Sequence, residues 1–148
     1  VENSDALALS AVLLAAAGEL TRRIHEGVVA RGFEGVRPVH GFAFARIAGE
    51  GASVGELAGH LGVTKQAASQ MVEELVRKGY VERRGRGGDG RVRVVVLTAL
   101  GWACTRAAEE AAAEVVREWG IVVGEGELRG VWEKLGRVVG GGVVRPVW

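Results

Sequence analysis

The stretch that most restricts the fold runs from Ser53 to Gly101: SVGELAGHLGVTKQAASQMVEELVRKGYVERRGRGGDGRVRVVVLTALG. Its caps and breakers recur too often for anything but short elements. Ser53 and Glu56 have the S-x-x-E spacing in which a hydroxyl and a carboxylate cap a helix start reciprocally. Leu57, Ala58 and Leu61 supply an apolar face, and Gly62 is free to take the left-handed conformation that ends a helix. Val63 is expected to plug the corner before a second helix capped by Thr64. There Ala68, Met71, Val72, Leu75 and Val76 recur at helical spacing as the buried stripe. Lys65, Gln66, Ser69, Gln70, Glu73 and Arg77 fall mainly on the other side, and Gly79 closes the helix. Tyr80 to Arg84 is strand-like. Gly85 to Gly90 sets four glycines around Arg86 and Asp89 and predicts a sharp turn. Val92 to Leu97 is β-branched and returns as a strand, and Thr98 can cap a long Ala-rich helix. Helix, turn, helix and two-stranded wing predict a winged helix-turn-helix.

Charge points the same way. The chain is formally +1, which says little about a polyanionic partner. From Thr64 to Arg93, however, eight basic residues (Lys65, Arg77, Lys78, Arg83, Arg84, Arg86, Arg91, Arg93) face four acids (Glu73, Glu74, Glu82, Asp89). That segment is net +4 and the remainder −3. A charged hairpin alone reads as solvated surface. Joined to a helix-turn-helix pattern, the local positive patch points to double-stranded DNA.

The rest of the chain has to be built around this core. At 148 residues with 25% charged residues, it fits one soluble domain. Its single cysteine, Cys104, excludes an intramolecular disulfide framework, so a cytoplasmic location is expected. The apolar run Ala6 to Ala17 lacks a positive leader, with Glu2 and Asp5 before it. Gly18-Glu19 and Arg22-Arg23 interrupt it, so it reads as too short for a bilayer and no membrane partner is expected. Periodicity predicts helices over 5–31, 38–48 from Pro38, 99–119 and 125–139. The first is apolar on more than one face and needs burial from several sides, while the last repeats Leu128, Val131, Trp132, Leu135, Val138 and Val139. These ends carry more apolar surface than a monomer can hide. The expectation is a homodimer in which first and last helices interleave, suited to a pseudo-palindromic operator. The predicted fold is mainly α with a small two-to-three-stranded antiparallel wing. It divides into 1–37 and 120–148 as dimerisation helices, 38–101 as the winged core and 99–119 as a connecting helix.

Over nearly its full length the chain resembles the MarR family of transcriptional regulators. The carrying residues are Glu56-Leu57-Ala58-x-x-Leu61-Gly62-Val63, Leu75-x-x-x-Gly79-Tyr80-Val81, and the wing Asp89-x-Arg91 followed by Val94-x-Val96-Leu97-Thr98-x-x-Gly101. The resemblance implies a dimeric repressor, often released by small phenolic or aromatic acids or by thiol oxidation. It also implies that Arg91 enters a minor groove and that Asp89 braces it. That fits the pull of a narrow A·T-rich groove on an arginine. Gly90 stands where many relatives carry a charge, so a looser free wing is expected.

On the recognition helix, Gln66, Ser69 and Gln70 have chemistry suited to base edges. Thr64 and Lys65 suit phosphate, as do Arg77, Arg83, Arg84 and Arg86. For an effector, the family's crease between long helices and core falls on His25, His40, Phe44, Arg46 and Trp102, which suit an aromatic carboxylate. Core packing is the plainer reading of Phe44 and Trp102. Cys104 reads as a buried inert thiol, with a redox sensor as the alternative. The histidines lack metal-ligand spacing and no cofactor is expected. No phosphate loop or nucleophile motif supports an enzyme. The remaining alternative is a winged-helix protein–protein interaction module, for which a basic wing has little use.

Overall fold

A computed structural model of the chain describes the backbone of residues 1–86 and 89–139 and, within those, the side chains outside 86–92. The described elements are α1 (Asn3–Ala30), α2 (Pro38–Ile47), α3 (Val54–Leu61), α4 (Lys65–Arg77), β1 (Val81–Arg86), β2 (Asp89–Leu97), α5 (Ala99–Val123) and α6 (Glu125–Gly136). The short elements begin and end where local chemistry places them. Ser53 Oγ accepts from the Glu56 N–H at 3.1 Å while the Glu56 carboxylate accepts from the Ser53 N–H at 3.1 Å. Gly62 follows at φ 67, and Thr64 Oγ1 accepts from the Ala67 N–H at 3.1 Å. Thr98 Oγ1 accepts from the Gly101 N–H at 3.2 Å and donates to the Gly79 carbonyl at 2.5 Å.

Phe44, Ile47, Leu57, Leu61, Val72, Leu75, Val81 and Val95 form the centre of the core, with Tyr80 tilted against Phe44 at a ring distance of 5.7 Å. Two valines depart from expectation. Val76 is 36% exposed and Val63 37%. Ala68, Met71, Val72 and Leu75 already define the inward stripe of α4, and Val76 lies about 100° around the helix from Leu75. The Val63 N–H closes back onto the Ala58 carbonyl at 3.1 Å, which leaves its side chain outside the corner.

β1 and β2 pair antiparallel in the register Val81↔Leu97, Arg83↔Val95 and Gly85↔Arg93, with an irregularity between Gly85 and Arg86. A third segment adds a single rung: Ala52 and Val95 exchange hydrogen bonds of 3.1 and 2.8 Å. Gly51 makes this approach possible. It has φ 80, and a Cβ there would lie 2.8 Å from the Val95 carbonyl.

The long helices differ in length from expectation. α5 runs past Trp119 to Val123, because the buried Gly120 stays within the helix and the break falls at Gly124, φ 104. That one residue separates α5 from α6. α6 stops at Gly136, short of the expected Val139, and has no buried residue. The C-terminal half of α1 lies along α5, with a Cβ on Gly27 reaching 2.6 Å from Ala111 Cβ. Arg23 pairs with Glu118 at 2.7 Å, and Arg31 with Glu114 at 2.7 Å and Glu110 at 3.4 Å. In the N-terminal half Leu7, Leu9, Val12, Leu13 and Leu14 are all exposed. The reading of this run as too short for a bilayer does not hold. α1 starts at Asn3, continues unbroken through Gly18-Glu19, and is by length and composition apolar enough to cross a membrane.

Candidate nucleic-acid interface

α4 divides cleanly between core and solvent. Ala68, Met71, Val72 and Leu75 are buried, whereas Thr64, Lys65, Gln66, Gln70 and Arg77 are exposed and Ser69 is half-buried. The N-terminal turn presents backbone N–H groups and the positive end of the helix dipole, a natural seat for a phosphate. Thr64 uses an oxygen lone pair for its cap, which leaves the hydroxyl proton free to donate.

The hairpin stands beside this helix and is continuous with it through Gly79 and Tyr80. Arg83 and Arg84 are exposed on β1, and Arg93 lies opposite Gly85 on β2. Arg84 is engaged: its Nε donates to Glu82 Oε1 at 2.6 Å. Such an exposed pair contributes little and exchanges readily for a phosphate. The side chains of Arg86, Asp89 and Arg91, assigned above to DNA contact, lie outside the described residues, as do the hairpin residues 87–88. The backbone of β2 nevertheless carries Asp89 and Arg91 at the far end of the ribbon from the core.

Residues 35–92, the span from the α1–α2 link to the far end of the wing, match the model of the MarR family. Over its winged core, the chain is similar to the MarR family. Solved structures extend the likeness of fold to the long helices. A MarR-family transcriptional regulator from a Rhodococcus species superposes with a TM-score of 0.72 at 16% identity, over 97% of this chain and 99% of that one. A MarR-family protein from Bacillus stearothermophilus gives 0.69 at 22%, over 94% and 96%. A mutant MepR of S. aureus bound to an oligodeoxyribonucleotide gives 0.60 at 16%, over 88% and 95%. Comparison with curated protein sequences returns no match.

The five residues assigned to an effector crease stand in different settings, with His25 near enough to His40 for their charges to interact. His25 lines a shallow open depression of about 350 Å³ with Gly18, Thr21, Arg22 and Pro38. His40 and Phe44 are core residues of the MarR fold, at 0% and 2% exposure. Arg46 is tied to the Gly51 carbonyl and to Glu56, each at 3.3 Å. Trp102 is partly exposed on α5 and does not reach the depression.

His40 has a structural task at the start of α2. Its Nδ1 accepts from the Arg37 N–H at 3.0 Å, so the neutral ring carries its proton on Nε2. Nε2 faces Glu74 Oε2 at 3.8 Å. The 3.4 Å approach of Arg37 Nη2 is then a contact between two donors. Burial, reinforced by the Arg37 charge, pushes the His40 pKa down to about 4.

Cys104 is buried and its thiol is pushed up to about 11, the opposite of the activation a redox sensor needs. Among the described residues no cluster of His, Cys, Asp and Glu has the makings of a metal site.

Sequence reasoning missed Glu74 as a meeting point. Lys78 Nζ donates to its Oε1 at 2.6 Å and Arg37 Nη2 to its Oε2 at 3.3 Å. The i, i+4 pair with Lys78 was visible in the sequence, but the approach of Arg37 depends on the tertiary fold.

Proposed function

We propose that two copies of the chain pair through α1, the end of α5 and α6, and that the pair binds a pseudo-palindromic operator. In each half-site α4 enters the major groove and the wing reaches the adjacent minor groove. The observation that carries this reading is the joint exposure of Thr64, Lys65, Gln66, Gln70 and Arg77 beside a basic hairpin, on a core similar to the MarR family. The DNA-bound relative supports it by analogy of fold. Gln66, Ser69 and Gln70 face base edges, while Thr64, Lys65, Arg77, Arg83, Arg84 and Arg86 hold phosphates. Arg91, braced by Asp89, is the minor-groove finger. Pairing makes residues 1–37 and 120–148 the dimerisation parts of one domain. The protein acts in the cytoplasm as a repressor, because a dimer seated on a promoter excludes polymerase. An aromatic carboxylate entering beside His25 would release it.

Selection of duplexes from a random library, followed by fluorescence anisotropy on the selected sequence, tests the reading. About seven neutralised phosphates give a slope near −6 for log K against log salt. Arg91→Ala should weaken binding at least tenfold with the helical content unchanged, and benzoate should lower the affinity of the parent protein. Absence of salt-sensitive duplex binding would favour an interaction module instead.

A further inference from the structure

Residues 31–37 connect α1 to the winged core, and they are fastened at both ends. At the near end Arg31 reaches back to Glu114 and Glu110 on α5. At the far end three polar ties grip the final turn of α4 and the start of β1. Lys78 Nζ donates to the Gly35 carbonyl at 2.7 Å as well as to Glu74, Arg37 closes on Glu74, and the Tyr80 hydroxyl donates to the Glu34 carbonyl at 3.0 Å. Gly35 has φ 69, and a Cβ there would lie 3.0 Å from the Lys78 side chain, so the link lies tightly against that side chain. Glu74 is central to this set, since each of its carboxylate oxygens takes one cation. A carboxylate near the C-terminal end of a helix opposes the helix dipole. Its place there is explained by what it joins.

We propose that Glu74 is a positioning residue for DNA recognition: by clamping α4 to the α1–α2 link, it sets the angle between reading helix and dimerising helix. In a two-fold pair this angle fixes the separation of the two reading helices and therefore the spacer the dimer accepts between half-sites. This rests on the proposed function, and it adds a source of spacer specificity that touches no base. Each base pair added to a spacer moves the half-sites apart by about 3.4 Å and rotates one against the other by roughly a tenth of a turn. A rigid pair therefore discriminates sharply, and a pair with loosened heads does not.

The test uses the full-length protein with duplexes carrying the selected half-sites and spacers shortened or lengthened by one and two base pairs. The parent protein should favour one spacer by at least tenfold. Glu74→Gln should flatten that preference to within about threefold while keeping affinity for the best spacer within about fivefold, and Glu74→Asp should partly restore it. Arg37→Gln cuts the same tie from the link and should flatten the profile likewise, which keeps the question answerable if one variant folds poorly. A uniform loss across all spacers would mean that Glu74 only stabilises the fold, and an unchanged profile would mean that the clamp sets nothing. Either result overturns the proposal. Failure of the parent protein to bind any duplex would instead remove the DNA reading, and the proposal with it.

Discussion

At the scale of single residues, the buried imidazole of His40 makes the fold acid-sensitive for a definable reason. In the unfolded chain the ring takes up a proton near pH 6.5, whereas in the folded protein it resists protonation down to about 4. The unfolded state thus binds more protons between those values, and stability must fall as pH drops through that window. A shift of this size corresponds to about 3 kcal/mol. Glu74, held below the usual carboxylate range chiefly by the hydrogen bond from Lys78, adds to the loss further into acid. Urea titrations at pH 7 and pH 4 should show the difference. His40→Asn cannot titrate in this range, so it should lose distinctly less between the same two pH values. An equal loss in both proteins would show that His40 is not the group responsible.

At the scale of elements, the seating of α5 against the α4–β1 link depends on a missing side chain. A Cβ on Gly101 would lie 2.2 Å from the Tyr80 carbonyl and 3.1 Å from Leu97. Alanine there gains about 1 kcal/mol of helix propensity but must push backbone apart, and forced overpacking costs 1–3 kcal/mol or more. Gly101→Ala is therefore expected to lower the melting temperature by several degrees; a rise would mean that α5 is not seated against the Tyr80 backbone as described. The contrast between this join and the caps shows what could be read from sequence. Ser53, Glu56, Gly62, Thr64 and Thr98 act on partners within a few residues, so their spacing was enough to place them. Val63 and Val76 were misplaced because apolar character does not say which way a surface valine points. α5 runs past the expected end at Trp119 because Gly120 is a buried packing position within the helix. His40 was assigned to a ligand, since the neighbours that explain it include Glu74, on another helix. The division of α4 into an exposed polar side and a buried apolar stripe was legible as a pattern of positions, whereas the fastening of α4 to the α1–α2 link was not.

At the scale of the whole molecule, the feature left unexplained by one chain is the apolar surface at its ends. Leu7, Leu14, Ile121, Val122 and Trp132 are each more than two-thirds exposed, and no residue of α6 is fully buried. A second copy is the simplest cover for so much apolar area. Equilibrium sedimentation at micromolar concentration should give twice 15.5 kDa, and replacing both Leu7 and Leu14 by lysine should shift the protein towards monomer. A parent protein of monomeric mass would count against the paired arrangement. Ala52 bears on how cleanly such a pair forms. By exchanging two hydrogen bonds with Val95 it occupies the outer edge of the β-ribbon near its base. Open strand edges invite indiscriminate zippering between neighbouring molecules. With that edge capped at its root, concentrated protein has less opportunity to polymerise through its ribbons.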